Sequence, residues 1–336
     1  MTDTAFDVLT IGNAIYDVLA HVDDAFLVRE GLVKGSMRLI DAEEAVRLYD
    51  HMGPAVRQSG GCAGNTASGI ASFGGRAAFI GKVARDEVGE AYAHDLRGFG
   101  VAFATPPLEM GAGIPSGRSM ILIAPDGERT MNTFLGAANE LTPADIDEKT
   151  VAGASVTYLE GYLWDPPKAK EAFRVAADIA HAHGRKVALT LSDSFCVDRF
   201  RGEFLDLLRS RRVDILFANE AEIHALYETG DFDSAIAGLA RDAALGVVTL
   251  GEKGSLIVEG DRRIPVPAHP VERIADSTGA GDLFASGFLF GHTRGYPHGL
   301  SAELGALAAS EVIAHIGARP EGSLLERAEQ AGMLER

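Results

Sequence analysis

The sequence D-S-T-G-A-G-D at 276–282 contains the residue types that proton transfer beside a phosphate group requires. A Gly-rich turn opens here into the apolar run 283–289, which predicts a buried helix. Free backbone N–H groups at such a helix N-terminus, together with the helix dipole, favour an anion. Asp282 could accept a proton from a hydroxyl while the turn stabilises charge on a phosphoryl group. The alternative is a turn that only permits close helix packing, with Asp282 as a first-turn carboxylate.

A second Gly-rich turn, S-G-G-C-A-G-N at 59–65, precedes a predicted small-residue helix at 66–71. The turn lacks the G-x-G-x-x-G spacing of a dinucleotide-binding site. Gly60 and Gly61 allow the backbone to come close to a ligand, and Asn65 can direct its side-chain amide there. Simple packing of the helix on a sheet is the alternative explanation for these small residues.

The composition limits the classes of partner. The chain has 336 residues, of which 46% are hydrophobic and 24% charged, as expected of a globular protein. The formal charge of −17 argues against nucleic acid or an anionic membrane surface as partner. We expect a cytoplasmic protein, because the sequence shows no membrane-spanning run, no signal-peptide pattern and no disulfide framework for Cys62 and Cys196. Because the chain is strongly negative, an anionic substrate such as ATP would be held locally by backbone amides, a metal ion and a few cations.

Strands and helices alternate from residue 155 onward, which predicts an α/β fold. Predicted strands recur at 156–159, 187–191, 214–217 and 245–250. The alternation indicates a doubly wound, mostly parallel sheet with helices on both faces. Ligands of such sheets bind outside the carboxyl ends of the strands. Three segments follow predicted strands directly and should share that edge: Gly12-Asn13, Asn219 and Gly251.

A predicted β-hairpin stands outside this alternation. Its strands are 119–124 and 129–134, and the turn P-D-G-E at 125–128 has residues that favour a tight turn. Such a hairpin suits a small β-sheet that acts as a lid. We predict a lid formed by residues 14–40 and 104–134, and an ATP- and substrate-binding core formed by 1–13, 41–103 and 135–336.

The sequence N-E-A-E at 219–222 allows two interpretations. It opens a helix, where an Asn cap with a Glu at the third helical position is a variant of the capping box. The same side chains could instead act on a ligand at the carboxyl edge of the sheet. Other chemistries lack support, because the turn at 251–254 lacks P-loop spacing and the ten histidines form no zinc pattern.

Together these motifs resemble those of the ribokinase-type, or PfkB, family of carbohydrate and nucleoside kinases. The stretch 276–288 is similar to the C-terminal signature of the family, and S-G-G-C-A-G-N-T-A at 59–67 to its N-terminal signature. The resemblance extends from Phe6 to about His315. Four further segments are most similar to the adenosine kinase branch: 12–17, 128–139, 189–195 and 213–222. Many ribokinases and fructokinases have a D-x-N-x-R pattern where this chain has 189–195, which favours a nucleoside over a sugar.

The resemblance implies a ribokinase-like fold and a set of roles. Asp282 would be the base that deprotonates the 5′-hydroxyl of adenosine, and Arg129 would reach from the lid to the phosphoryl group. Backbone amides would form the anion hole, at Gly279, Ala280 and Gly281. Five residues would hold the acceptor: Asn13, Asp17, Gly60, Gly61 and Asn65. Met37 and Leu163 would border the base, where other adenosine kinases have a Gln and a Phe.

The resemblance also implies the cosubstrate and metal. ATP would be bordered by Asn219, Thr249, Gly251 and Gly254, and Glu222 would order water around Mg²⁺. The expected reaction is ATP-dependent phosphorylation of adenosine to AMP, with another nucleoside or a ribose- or fructose-like sugar as the alternative acceptor. A dinucleotide-dependent oxidoreductase would need G-x-G-x-x-G after the first strand, and a non-catalytic nucleoside-binding protein would not need Asp282. Expected partners are small molecules alone, with the chain as a monomer or homodimer.

Overall fold

The computed structural model describes residues 4–334, which form a large and a small β-sheet flanked by helices. In chain order the strands are β1 (Phe6–Ile11), β2 (Ile15–His21), β3 (Met37–Leu39), β4 (Val56–Ser59), β5 (Ala77–Ile80), β6 (Ala102–Phe103), β7 (Gly117–Ile123), β8 (Arg129–Phe134), β9 (Ala154–Glu160), β10 (Lys186–Thr190), β11 (Ile215–Asn219), β12 (Leu245–Thr249), β13 (Ser255–Glu259) and β14 (Arg262–Val266). The helices are α1 (Asp24–Arg29), α2 (Ala42–His51), α3 (Cys62–Ser72), α4 (Glu87–Gly98), α5 (Glu148–Ala152), α6 (Pro167–Ala182), α7 (Ser194–Arg209), α8 (Glu220–Tyr227), α9 (Phe232–Asp242), α10 (Ala280–Thr293), α11 (His298–Val312) and α12 (Leu324–Gln330). None of these helices combines the length and the hydropathy needed to cross a lipid bilayer.

The large sheet has nine strands in the order β14-β13-β12-β11-β10-β9-β1-β5-β6. The strands from β12 to β6 pair in parallel, and only the edge formed by β12, β13 and β14 is antiparallel. The predicted α/β fold with a doubly wound, mostly parallel sheet is therefore confirmed.

Helices cover both faces of this sheet because its strands are apolar on both sides. Leu9 of β1 shares a core with Phe173 of α6 and Phe204 of α7. Its neighbour Val8 points to the opposite face, where it shares a second core with Phe288 of α10. Strands covered on both faces form nearly continuous apolar runs, which explains why the sequence revealed most of them.

The small sheet has the order β3-β8-β7-β2-β4, and the predicted hairpin forms its antiparallel strands β7 and β8. One face packs against helices, since Val18 of β2 and Met120 of β7 share a core with Leu48 of α2. Side chains alternate along a strand, so Asp17 and Ile121 point away from that core. Both line the space between the two sheets.

The strand pairing differs from the predicted lid at one boundary. β4 pairs with β2, and α2 packs on β7 and β8, so residues 42–59 accompany the small sheet although the sequence assigned them to the core. The sequence V-R-Q-S of β4 is too polar to be recognised as a strand. The division into core and lid stays a prediction, and its ends at 1–3 and 335–336 lie outside the described residues.

The packing of α10 decides where its N-terminus lies. α10 contacts α3 and α11 at glycine residues, which let the helix axes approach closely. An added Cβ would lie 2.3 Å from the Ser286 Oγ at Gly69, and 2.4 Å from the Leu304 carbonyl oxygen at Gly287. Neither position can therefore carry a larger side chain without moving α10 away from its neighbours.

Candidate active site

A cleft of about 1130 Å³ lies between the carboxyl ends of the large-sheet strands and the inner face of the small sheet. Sites for one small molecule usually measure about 300–1,000 Å³, so the cleft has room for more than one ligand. Both Gly-rich turns form part of its wall. Residues of both sheets and of the segments that follow their strands meet in it, together with the first turn of α10: Asn13, Asp17, Ser119, Thr133, Asn219 and Asp282.

Asp282 stands in the first turn of α10, directly after the predicted anion hole. The turn depends on Gly279, which has φ +79° and whose added Cβ would lie 2.7 Å from the Ala318 Cβ. The Ala280 N–H donates to the Ser277 carbonyl at 3.3 Å. The amides of Gly281 and Asp282 have no backbone acceptor in the described part of the chain. An anion here would meet free N–H groups and the positive end of the helix dipole.

Asn65 joins the two Gly-rich turns. Its Nδ2 donates to Asp282 Oδ2 at 2.9 Å, although the two residues are 217 positions apart. Its own Oδ1 is buried without a partner among residues 4–334, so it is free to accept from a ligand hydroxyl. Burial raises the pKa of Asp282, whereas the hydrogen bond from Asn65 and the charge of Arg319 lower it. A raised pKa makes the carboxylate a stronger base.

Asp17 and Asn13 stand beside the N-terminus of α3, where two glycines make room for them. An added Cβ on Gly60 would lie 2.1 Å from Asp17 Oδ2, and one on Gly61 would lie 2.2 Å from the Asn13 carbonyl oxygen. Gly61 also caps α3 with φ +79°. The structure therefore brings together the five predicted acceptor residues, the fifth being Asn65, although Gly60 acts by leaving space and does not line the cleft.

Glu160, which the sequence analysis missed, holds Asn13 in place. It lies at the carboxyl end of β9 and accepts the Asn13 N–H at 3.3 Å, Asn13 Nδ2 at 3.1 Å and the Ala63 N–H at 2.9 Å. Burial raises its pKa to about 7, against the effect of these hydrogen bonds. Asn13 Oδ1 is left without a partner in the described residues and can accept from a ligand. A charged residue directly after the apolar run 156–159 was the available signal.

Arg129 reaches from the small sheet to the turn that precedes α10. It forms an ion pair with Asp276, whose side chain is fully buried. Asp276 also accepts the backbone N–H groups of Thr278 and Gly317, both at 2.9 Å. Arg129 Nη1 is buried without a partner in residues 4–334. Arg129 does not line the cleft, so among the described residues it contacts the turn before the predicted anion hole only through Asp276.

Asn219 and Glu222 form the predicted capping box at the start of α8 and also line the cleft. Glu222 accepts the Asn219 N–H at 3.0 Å and Asn219 Nδ2 at 2.7 Å, while its own N–H donates to Asn219 Oδ1 at 2.8 Å. Burial raises the pKa of Glu222 to about 7. The capping interpretation and the ligand interpretation are therefore compatible, because one carboxylate serves the helix and faces the cleft.

Apolar side chains of the small sheet form one wall of the cleft. Met37 of β3, Ile121 of β7 and Met131 of β8 all point into it. Met37 is 42% exposed, which leaves apolar surface available for a ligand. The predicted place of Met37 beside a base agrees with this geometry, and a flat aromatic ring would bury it.

Besides Gly60 and Arg129, three more predicted residues lie outside the cleft. Leu163 is fully buried in the core, because the 3-10 turn Gly161–Trp164 directs it inward, and Tyr162 lines the cleft instead. Gly251 and Gly254 belong to the turn between β12 and β13, next to Thr249, which does line the cleft. An added Cβ on Gly254 would lie 2.1 Å from the Val266 carbonyl oxygen, so its small size lets the end of β14 pack against the turn.

Comparisons with known proteins point to one family of kinases. Residues 32–323 match the pfkB family of carbohydrate kinases. A structure described as a probable sugar kinase from Rhizobium etli CFN 42 is 53% identical, covers 98% of this chain and 99% of that one, and has a TM-score of 0.93. An adenosine kinase structure from Sinorhizobium meliloti is 58% identical, with coverages of 97% and 99% and a TM-score of 0.92. The adenosine kinase of Saccharomyces cerevisiae is 26% identical over 92% of this chain and 95% of that protein. These neighbours confirm the predicted ribokinase-like fold.

The buried carboxyl group of Asp17 predicts how stability depends on pH. Burial raises its pKa to about 7, whereas an unfolded Asp titrates near about 3.9. From about pH 4 to 7 the unfolded state loses its proton first, so stability falls as the pH rises. Asp17→Asn removes this titration. Its melting temperature, measured by calorimetry, should exceed that of the wild type by a margin that grows up to about pH 7 and then stays constant.

Asp147→Asn provides the opposite control, because hydrogen bonds from Thr150 lower the pKa of Asp147. That variant should be less stable than the wild type at neutral pH. The difference should shrink on acidification, as the Asp147 carboxylate of the wild type becomes protonated. A margin between Asp17→Asn and the wild type that is the same at every pH would contradict the assignment.

Proposed function

The chain belongs to the pfkB family of carbohydrate kinases, and we propose that it transfers the γ-phosphoryl group of ATP to the 5′-hydroxyl of adenosine. The observation that carries the proposal is the hydrogen bond from Asn65 to Asp282. It places a basic carboxylate between a turn suited to acceptor hydroxyls and a helix N-terminus suited to phosphate. The Sinorhizobium adenosine kinase, 58% identical, supports adenosine as the acceptor.

The two walls of the cleft suit the two parts of a nucleoside. Asn13 Oδ1 and Asn65 Oδ1 are buried acceptors without partners in the described residues, and the carboxylate of Asp17 lies beside them. Ribose hydroxyls would supply the missing donors. The base would then lie against the apolar wall formed by Met37, Ile121 and Met131. A sugar would fill only the polar part of this space.

In the reaction, Asp282 would accept the proton of the 5′-hydroxyl. The hydroxyl oxygen would bond to the γ-phosphorus as the bond from that phosphorus to the leaving oxygen of ADP breaks. The N–H groups of Gly281 and Asp282, which have no backbone acceptor among the described residues, would stabilise the charge on the transferred group. Arg129 would donate its unpartnered Nη1 to the same oxygens. The small sheet would exclude water, which could otherwise accept the phosphoryl group.

Magnesium would be held beside the phosphates by Glu222, through water. Carboxylate oxygens suit this ion, and each oxygen of Glu222 already accepts one N–H from Asn219, so a bridging water fits the remaining capacity. No three His, Cys, Asp or Glu side chains gather into a metal site within residues 4–334. The ion would neutralise charge on the β- and γ-phosphates. Thr249 and Asn219 would border ATP.

A sugar kinase is the second candidate, because the Rhizobium etli relative at 53% identity is described as a probable sugar kinase. The experiment is to measure ADP release with adenosine, guanosine, cytidine, ribose and fructose. The apolar wall predicts a higher kcat/KM for nucleosides than for sugars, and the 58% identical adenosine kinase favours adenosine among the nucleosides. A higher kcat/KM for ribose or fructose would favour the second candidate, and ADP release that does not depend on any acceptor would contradict both.

Asp282→Asn tests the catalytic base. The Asn side chain can still accept the hydrogen bond from Asn65 but cannot take up the proton, so kcat and kcat/KM should both fall at least ~10²-fold. Dissociation constants for ATP and adenosine, measured by calorimetry, should change little. Asp147→Asn, at the start of α5 and away from the cleft, should keep wild-type kcat. A folded Asp282→Asn protein with near wild-type kcat would falsify the assignment.

Glu222→Gln tests the magnesium role against the capping role. Both oxygens of Glu222 accept N–H groups, so a Gln amide would face one donor and the melting temperature should fall. The Mg²⁺ concentration for half-maximal rate should also rise. Asp231→Ala removes the cap of α9 outside the cleft and should lower stability without changing the Mg²⁺ dependence. If Glu222→Gln behaves like Asp231→Ala, its carboxylate serves the helix only.

A further inference from the structure

The segment 317–319 lies between the two Gly-rich turns, and we propose that Arg319 is a positioning residue that fixes the acceptor turn at 59–65 against the anion-hole turn at 276–282. The proposal rests on the kinase function proposed above. The side chain is 6% exposed and comes from the chain that follows α11, far from both motifs in the sequence. Nothing in the sequence pattern marked it.

The guanidinium of Arg319 binds the acceptor turn through several atoms at once. Nε donates to the Ser59 carbonyl at 2.8 Å, and Nη2 donates to Ser59 Oγ at 3.2 Å and to the Gly60 carbonyl at 3.4 Å. Nη1 donates to the Gly64 carbonyl and to Ser68 Oγ. The planar fork thereby spans both sides of the turn that presents Gly61 and Asn65 to the cleft.

The two residues before Arg319 contact the other turn. The Gly317 N–H donates to Asp276 Oδ2 at 2.9 Å. Ala318 packs on Gly279, where an added Cβ would lie 2.7 Å from the Ala318 Cβ. Three consecutive residues therefore touch both turns, and a shift of one turn must move the other.

Arg319 has no ion-pair partner within 4 Å among the described residues, so its charge acts on the carboxylates around it. This charge lowers the pKa of Asp282 and of Asp17, which burial raises. Tyr92 and Asp95 of α4 also face Arg319. A guanidinium stays protonated at every pH of interest, so it keeps Asp282 available as a carboxylate.

Other titratable groups also surround Asp282. Its neighbours are Cys62 of α3, Tyr158 and Glu160 of β9, and Asp17 of β2. The charge of Asp282 raises the pKa of Asp17 and of Glu160, while the charge of Arg319 lowers the pKa of Asp282 itself. Removing Arg319 should therefore shift the loss of activity on acidification to higher pH.

The test compares Arg319→Gln with Arg319→Lys. Arg319→Gln removes the fork and the charge, so kcat/KM for adenosine should fall by about 10²-fold through a raised KM and a lowered kcat. The acidic limb of its pH profile should move up by about one pH unit. Arg319→Lys keeps the charge without the fork, so KM should rise while the acidic limb stays near the wild-type position. This separation of KM from the pH profile is not expected of a residue that only stabilises the fold.

Arg294→Gln is the matched control. Arg294 is partly buried over the Phe290 ring and paired with Asp7, away from the cleft, so its loss should lower stability and leave the kinetics unchanged. Arg319→Gln with wild-type KM, kcat and pH profile at a temperature where it is folded would overturn the proposal.

If Arg319→Gln does not fold, Ser68→Ala removes one acceptor of the fork and keeps the charge. It should raise KM for adenosine without moving the acidic limb, and an unchanged KM would overturn the proposal. The function itself is judged on the wild type. If the wild type prefers another acceptor, the same comparisons are made with that acceptor. A failure of the proposed function is thereby distinguished from a failure of the role proposed for Arg319.

Discussion

The hydrogen bond between Asn65 and Asp282 sets a requirement that the rest of the cleft must meet. Its 2.9 Å length brings the first turns of α3 and α10 into contact. Two helices can begin so close together only if small residues separate them, which explains Gly69 of α3, where an added Cβ would lie 2.3 Å from the Ser286 Oγ of α10. Both helix dipoles then point their positive ends into one space. That space favours a phosphate, although burial still raises the pKa of Asp282.

The same space contains more carboxylates than its cations can neutralise. Burial raises the pKa of Asp17 and of Glu160 to about 7, even though Glu160 accepts hydrogen bonds from Asn13 and Ala63. The free protein therefore loses stability when these groups ionise. Buried carboxylates that lack hydrogen-bond donors are expected at a cleft where bound ligands later supply those donors. Ribose hydroxyls would be such donors, so acceptor binding would relieve a cost that folding incurs.

The sequence predicted those parts of the site that depend on local backbone chemistry. Gly279 and Asp282 were found because a left-handed turn and a helix N-terminus are encoded within a few adjacent residues. Glu160 was missed because its partners come from other elements, at Asn13 and Ala63. Leu163 was assigned to the base by resemblance, but the direction of a side chain in a 3-10 turn depends on the core beneath it. A resemblance to relatives therefore predicts which position in the chain lies near a site more readily than it predicts the direction of the side chain there.

The ion pair between Arg129 and Asp276 links the small sheet to the anion-hole turn. Asp276 is fully buried and also holds the N–H groups of Thr278 and Gly317, so the turn depends on this carboxylate. Separating one partner from a buried pair leaves an uncompensated charge, which costs much more than the intact pair contributes. The small sheet therefore cannot swing away unless water or another cation replaces Arg129. A phosphoryl group that attracts Arg129 would compete with Asp276, so anion binding would be coupled to the position of the small sheet through this one guanidinium.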